Sequence, residues 1–273
     1  MLEAEKTLKK YPNNFEVVYA SARVYMLKFT ESKEEQYMHK SNELFQDAIS
    51  LLYQNNENSI SETTILNCIG QNYLTAGQME KGIGILEENN ICDINSAHIG
   101  FTYSMMKQPD KAKKYLFRSY MNIMNSTIHT MAGIMFMYAQ QKNKLCIDAG
   151  LCLVDYFDSI KEEEGSIVFI DKIKAVLLAQ IAVLEASFGN YNEAERFIID
   201  AYKLAKKFDA APIYTTKGTK FFDGEENVQI SLDGLGETAI DGIYGLVFAN
   251  AEPSEALESV KRRFEELKNE AEK

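Results

Sequence analysis

Three histidines, four cysteines and several runs of carboxylates are the side chains of this sequence that could do catalysis or bind a metal. Either chemistry requires convergence: a base held against a nucleophile, or three to four ligands at recognisable spacing. His39, His98 and His129 stand far apart in sequence, and none neighbours a cysteine or carboxylate in a known catalytic order. His39 lies in the polar run 33–40 and reads as a solvated surface residue. His98 and His129 fall in helical segments, where a satisfied core or groove histidine is the expectation. Cys68, Cys92, Cys146 and Cys152 have no C-x-x-C spacing and sit among apolar neighbours, so they read as reduced core residues. The Glu runs at 162–164 and 265–266 read as solvated surface. Gly234-Leu235-Gly236-Glu237-Thr238-Ala239 has the outline of a phosphate-binding loop. That use needs a preceding strand and a parallel sheet, which the sequence does not offer. A loop leading into a helix over 237–249 is the better account. No G-x-S-x-G, P-loop or H-E-x-x-H occurs. The sequence therefore predicts no enzyme, no cofactor and no metal.

What remains is recognition, and that depends on the elements presenting the side chains. Only 4 prolines and 15 glycines interrupt 273 residues, so helices dominate the expectation. Ile69-Gly70-Gln71-Asn72-Tyr73 recurs thirty residues later as Ile99-Gly100-Phe101-Thr102-Tyr103. A small residue allows a partner helix to cross closely, and the ring beside it fills the gap. Gly77–Gly82, Lys107–Ala112 and Gly189–Ala194 share a second layout. In each, a turn opens a helix, a small residue arrives five positions in, and an apolar residue follows four later (Leu86, Leu116, Ile198).

These blocks resemble the tetratricopeptide repeat, an L-G-x2-Y block followed by A-x3-F at a period of about 34 residues. Units fall at 63–91, 94–124 and 176–205. Weaker ones fall at 15–53, with Ala22 and Tyr25 in the key places, and at 127–159, with Gly133 and Phe136 there. The resemblance implies an all-α, right-handed α-α superhelix of about five helix pairs. It also implies a concave face lined by the first helix of each pair. Positions three before, one after and four after the small residue share one helical face. They give Tyr19, Arg23 and Met26; Asn67, Gln71 and Leu74; Ala97, Phe101 and Ser104; and Thr130, Ile134 and Met137. Arg23, Asn67 and Gln71 would hydrogen-bond an extended peptide's main chain or carboxylate, while Met26, Phe101, Ile134 and Met137 would form adaptable apolar pockets.

Residues 1–14 look like the second helix of a pair whose first helix is missing. Leu8-Lys9-Lys10-Tyr11-Pro12-Asn13-Asn14 and the Tyr-rich segment after it resemble the repeat region of bacterial XRE-type helix-turn-helix regulators. There, repeats serve dimerisation and effector sensing behind a DNA-binding domain. The resemblance implies the sensing part of such a regulator; the alternative is a stand-alone adaptor for protein partners. No helix-turn-helix segment occurs in this sequence, and its net charge of −11 repels phosphate backbones, so no direct nucleic-acid contact is expected. With no apolar run of bilayer length and no secretory signal, a cytoplasmic protein without membrane contact is expected. The helical array should span 1–208, with 209–273 as an irregular segment plus two capping helices. Val228, Ile230 and Leu232 alternate between turn dipeptides and allow a small hairpin within 209–235. Leu257, Val260, Phe264, Leu267 and Ala271 form a narrow stripe on the last helix, which should cap the array, with a homodimer contact as the alternative.

Overall fold

A computed structural model describes residues 2–55, 60–222, 228–249 and 253–271. Twelve α-helices make up the fold of these residues, with no named strand among them, as the scarcity of helix breakers requires. The chain divides into two compact units, 1–123 and 124–273.

The first unit contains α1 (Leu2–Lys10), α2 (Phe15–Ser32), α3 (Glu35–Ser50), α4 (Glu62–Thr75), α5 (Met79–Glu88), α6 (Ser96–Met105) and the start of α7 (Pro109–Gln140). Asn14 and Ser61 accept bonds from the Val17 and Thr64 amides at 3.0 and 3.2 Å and so start α2 and α4. Helices pair as α2–α3 and α4–α5, and each second helix also packs on the next first helix, α3 on α4 and α5 on α6. Glycines set the closeness of the pairs. A Cβ at Gly70 would lie 2.8 Å from Leu86 Cδ2, and one at Gly100 would lie 2.7 Å from Leu116 Cγ. The recurring glycine and the leucine sixteen residues on are thus the two sides of one repeated crossing. Gly82 returns the favour to Leu74, whose Cδ2 would be 2.5 Å from an added Cβ. Polar groups tie successive pairs together: Asn72 donates to Ser41 Oγ at 3.0 Å and Asn42 Oδ1 at 2.7 Å, and Ser41 donates to the Ala22 carbonyl. All four groups are buried, so pairing spares the bonded atoms a desolvation cost.

One turn recurs in both units. Gly77, Lys107, Lys142 and Gly189 all have positive φ just past a helix end. The next amide reaches back five residues each time: Gln78 to Tyr73, Gln108 to Tyr103, Asn143 to Tyr138 and Asn190 to Glu185, at 2.9–3.0 Å. This left-handed cap satisfies the last carbonyls of the helix, and glycine adopts it without strain where lysine does not.

Those turns correct the register of the unit expected at 127–159. Counting back seven residues from each turn gives Gly70, Gly100, Met135 and Ala182, not Gly133. Gly133 is exposed with open space where a Cβ would point, whereas Met135 is fully buried. Phe136, expected as the buried ring, is exposed. The small residue of this crossing sits instead on α8 (Leu145–Ser159): a Cβ at Gly150 would lie 3.2 Å from Met135 Sδ and 2.9 Å from Ile181 Cγ1. The boundary expected between 124 and 127 is also absent as a turn. α7 runs through it unbroken for 32 residues, because no glycine or proline occurs between 110 and 132 to stop it.

The second unit is organised around α9 (Ile170–Ser187), against which α8, α10 (Tyr191–Ala210), α11 (Ala239–Ile243) and α12 (Glu255–Ala271) all pack. Twelve of α9's residues are buried, including Asp171, Lys172 and Glu185. α12 lays Leu257, Val260 and Phe264 into this core, with Phe264 edge-on to Tyr202 and Tyr244 at 5.5 Å. The first three residues of its stripe are therefore packed within its own unit against α9 and α10, while Leu267 is half-buried and Ala271 exposed. Residues 209–273, expected as an irregular segment plus two capping helices, fall within this unit. The expected hairpin reduces to an isolated antiparallel bridge between Thr215 and Gln229, flanked by bonds from Thr216 N to Val228 O and Ile230 N to Tyr214 O. Residues 223–227 lie outside the described part. The helix expected over 237–249 is α11 followed by a π-helical turn, Tyr244–Phe248.

Candidate functional site

The predicted groove residues fall in both units, with Tyr19, Arg23, Met26, Asn67, Gln71 and Phe101 in the first and Thr130, Ile134 and Met137 in the second. α2 and α4 border one apolar core built on Phe15, Val18, Phe45, Ile65 and Ile69, with Tyr19 and Met26 from α2 and Leu66 and Cys68 from α4 packed against it. Tyr19 lies between Phe15 and Phe45, each ring centroid 5.9 Å away. Burial raises its hydroxyl pKa above the ordinary phenol value, Cys68 adds to the rise, and Arg23 opposes it as a cation and hydrogen-bond donor. Burial likewise raises the Cys68 thiol, with Arg23 pulling the other way. Cys68 is thus held as a thiol beside a cation, which suits packing rather than nucleophilic attack.

Arg23 itself is exposed, and among the described residues it forms no ion pair. Its partners are the Tyr19 hydroxyl and, electrostatically, Cys68. On α4, Asn67 is oriented from behind: buried Asn95 donates its amide to Asn67 Oδ1 at 2.7 Å while also reaching the Leu86 and Asn89 carbonyls. With the oxygen engaged, the Asn67 amide nitrogen is left as a donor with no partner among the described residues. Gln71, one turn on and half-buried, also makes no side-chain hydrogen bond there. Three side chains from neighbouring first helices thus offer guanidinium and carboxamide donors, an arrangement that suits a carboxylate or a peptide carbonyl.

The same face changes character on α6. The register that places Thr64, Gln71 and Thr75 on α4 places Ile94, Phe101 and Met105 at the start of and along α6, and these three are 65, 63 and 59% exposed. The first unit therefore carries a polar donor patch and an exposed apolar stripe on consecutive first helices. In the second unit Thr130 and Met137 are exposed and Ile134 is half-buried. With Met135 as the crossing residue, Phe136 rather than Ile134 is the register counterpart of Gln71 and Phe101. A cleft of about 460 Å³ lies elsewhere on the first unit, between α1 and α2, lined by Glu3, Thr7, Val17 and Val24 among others, and takes none of the predicted residues.

Of the residues with other chemistry, His129 contacts the Asn125 carbonyl through Nδ1 at 2.8 Å, and His39 and His98 are exposed. Cys92 and Cys152 are exposed rather than core. The glycine loop at 234–239 has its anion position filled by the chain itself. The Asp209 carboxylate accepts from the Ala239 and Ile240 amides at 2.7 and 3.2 Å, and Lys172 Nζ binds the Gly236 carbonyl at 2.7 Å. Sequence reading missed this network. Its signal was Asp171-Lys172 opening an otherwise apolar helix, where charges stay only if paired.

No family model matches the chain, and no curated protein matches it. Among solved structures it is similar to BtubC (BKLC) from P. vanneervenii, at 13% identity over 76% of this chain and 87% of that one, with a TM-score of 0.31. A likeness of that size implies neither a common fold nor a common function. No helix of the described residues is long and apolar enough to cross a membrane.

Proposed function

We propose that this chain is a tetratricopeptide-type binding module whose first unit takes an extended peptide or protein segment along α2, α4 and α6. The observation that carries the reading is the orientation of Asn67. A buried asparagine holds its oxygen, leaving its amide as an unengaged donor, and Arg23, whose charge acts on the adjacent Cys68, forms no ion pair among the described residues. Arg23 and the Asn67 amide donate, and the Gln71 carboxamide can donate and accept, a set that matches the carboxylates, carbonyls and amides of a peptide main chain. The stripe of Ile94, Phe101 and Met105 would take an apolar side chain of the same ligand. The resemblance of 8–14 and the following helix to XRE-type regulators supplies the context: ligand capture would be the sensing step of a transcriptional regulator. In the adaptor reading the same face holds a protein partner.

The test is selection from a random peptide library with free carboxyl termini against the full chain, followed by titration of an enriched peptide. Arg23→Ala should weaken binding about ten- to a hundredfold, the size of a lost charge-assisted hydrogen bond. An unchanged affinity would remove Arg23 from the site.

A further inference from the structure

We propose that the cleft between α1 and α2 is a docking site for a basic amphipathic helix of another protein, separate from the peptide face. Val17, Ala20, Val24 and Leu27 recur at spacings of 3, 4 and 3 along α2, so they form one stripe. This stripe lies on a different side of the helix from Tyr19, Arg23 and Met26. Val17 and Val24 are half-buried, Ala20 is exposed and Leu27 is 62% exposed. The first three line the cleft of about 460 Å³, with Ala4 and Thr7 of α1 on the other wall.

The next pair shows what covers such a face. In the register that aligns Ala22 with Gly70 and Tyr25 with Tyr73, the α4 counterparts of Val17, Ser21 and Val24 are Ile65, Ile69 and Asn72, all buried. The pair before it covers them. Ile65 and Ile69 share a core with Val18 and Ala22 of α2 and Phe45 of α3, and Asn72 bonds Ser41 and Asn42. Within this unit α1 packs on α2 as α3 packs on α4, yet α1 buries none of its own residues. The cleft beside it therefore has the form of a seat for one more helix, and the small side chains of Ala4, Thr7 and Ala20 allow a close approach. From Val17 to Leu27 the seat runs about three turns, roughly 15 Å. Charge decides the occupant. Glu3 and Glu16 are the charged residues lining the cleft, one on each wall, and neither forms an ion pair among the described residues. A second copy docked here by two-fold symmetry would bring the same carboxylates to the interface, whereas Lys or Arg flanking a partner's apolar stripe would neutralise them. The chain's net charge of −11 draws such a cation in.

The experiment selects from a display library of helical peptides of about 14 residues, each with an apolar stripe at 3-4 spacing and randomised flanks, against the full chain. Enriched peptides are then titrated against variants whose helicity circular dichroism confirms. Lys and Arg should be enriched beside the stripe. Ala20→Arg, at an exposed site on the floor of the cleft, should weaken binding about tenfold or more. Glu3→Lys with Glu16→Lys should weaken it about fivefold and flatten its salt dependence. Arg23→Ala should leave it unchanged, which separates this site from the peptide face. Flanks that are acidic or unbiased would overturn the proposal, as would a selection yielding no peptide that Ala20→Arg weakens. A full chain that sediments as a dimer, and as a monomer with Ala20→Arg, would make the occupant a second copy and overturn it too.

Discussion

The two units solve the same packing problem with different means. In 1–123 one local solution is repeated: a glycine on the first helix receives a leucine from the second, at Gly70–Leu86 and again at Gly100–Leu116. In 124–273 a single central helix, α9, packs on its neighbours α8 and α10 and also on α11 and α12 from farther along the chain, and buried charges hold the arrangement. Lys161 and Asp171 meet at 2.6 Å, 7 and 0% exposed, with Asp171 also accepting the Val168 amide. Repetition leaves a period in the sequence. The long-range contacts that add α11 and α12 to this hub leave none.

The sharpest way to break this contrast is to remove one buried charge from the hub. Asp171→Ala strands the Lys161 ammonium and should lower the unfolding free energy by about 3–5 kcal/mol, read by urea titration of the full chain. A loss below about 1 kcal/mol would mean that the pair is not a determinant of the second unit.

Glycine substitutions test the register next. Gly82→Ala would force a Cβ to within 2.5 Å of Leu74 and 2.9 Å of the Gly70 carbonyl, and Gly150→Ala would press on Ile181 and Met135. Each should cost about 1–3 kcal/mol. Gly133→Ala meets nothing within 4 Å and should instead stabilise by roughly 0.5–1 kcal/mol through helix propensity. The opposite signs at Gly133 and Gly150 would place the crossing of the fourth pair on α8, and a destabilising Gly133→Ala would return it to α7.

Lys107 and Lys142 hold the left-handed conformation that glycine holds at 77 and 189. Lys142→Gly should therefore raise the thermal midpoint modestly, by about 1 kcal/mol of relieved strain. An unchanged or lower midpoint would show that the lysine side chain contributes as much as its backbone costs.

The last difference is a matter of pH. Tyr103 and Tyr115 both donate to Glu87 Oε1 at 2.8 and 2.9 Å. Burial first, then this bond, raises the Tyr103 hydroxyl from 10.0 to about 12. A raised folded-state value means the folded chain keeps the proton longer than the unfolded one. This contribution is complete below pH 10 and is lost as pH rises towards 12. The urea midpoint should fall across that window, and Tyr103→Phe should make the fall shallower.

Legibility followed the same divide. Helical content, the crossings at Gly70 and Gly100, and the turns at Gly77 and Gly189 could be read because each depends on residues within a few positions of one another. The crossing at Met135–Gly150 could not, since the small residue had moved to the opposite helix and an irrelevant glycine lay two positions away. α7's continuity was hidden because the repeat period argued for a turn while the residues supplied no stop. In the candidate site the donor types of Arg23, Asn67 and Gln71 were legible. The support of Asn67 by Asn95, twenty-eight residues on, was not.

The central claim is that Asn67 and Gln71 grip a peptide main chain. The direct measurement is the affinity of a library-selected peptide for the full chain and for the Asn67→Ala, Gln71→Ala double variant, with circular dichroism to confirm equal helicity. Two lost hydrogen bonds should weaken binding about five- to a hundredfold. Undiminished affinity in a folded double variant would contradict it.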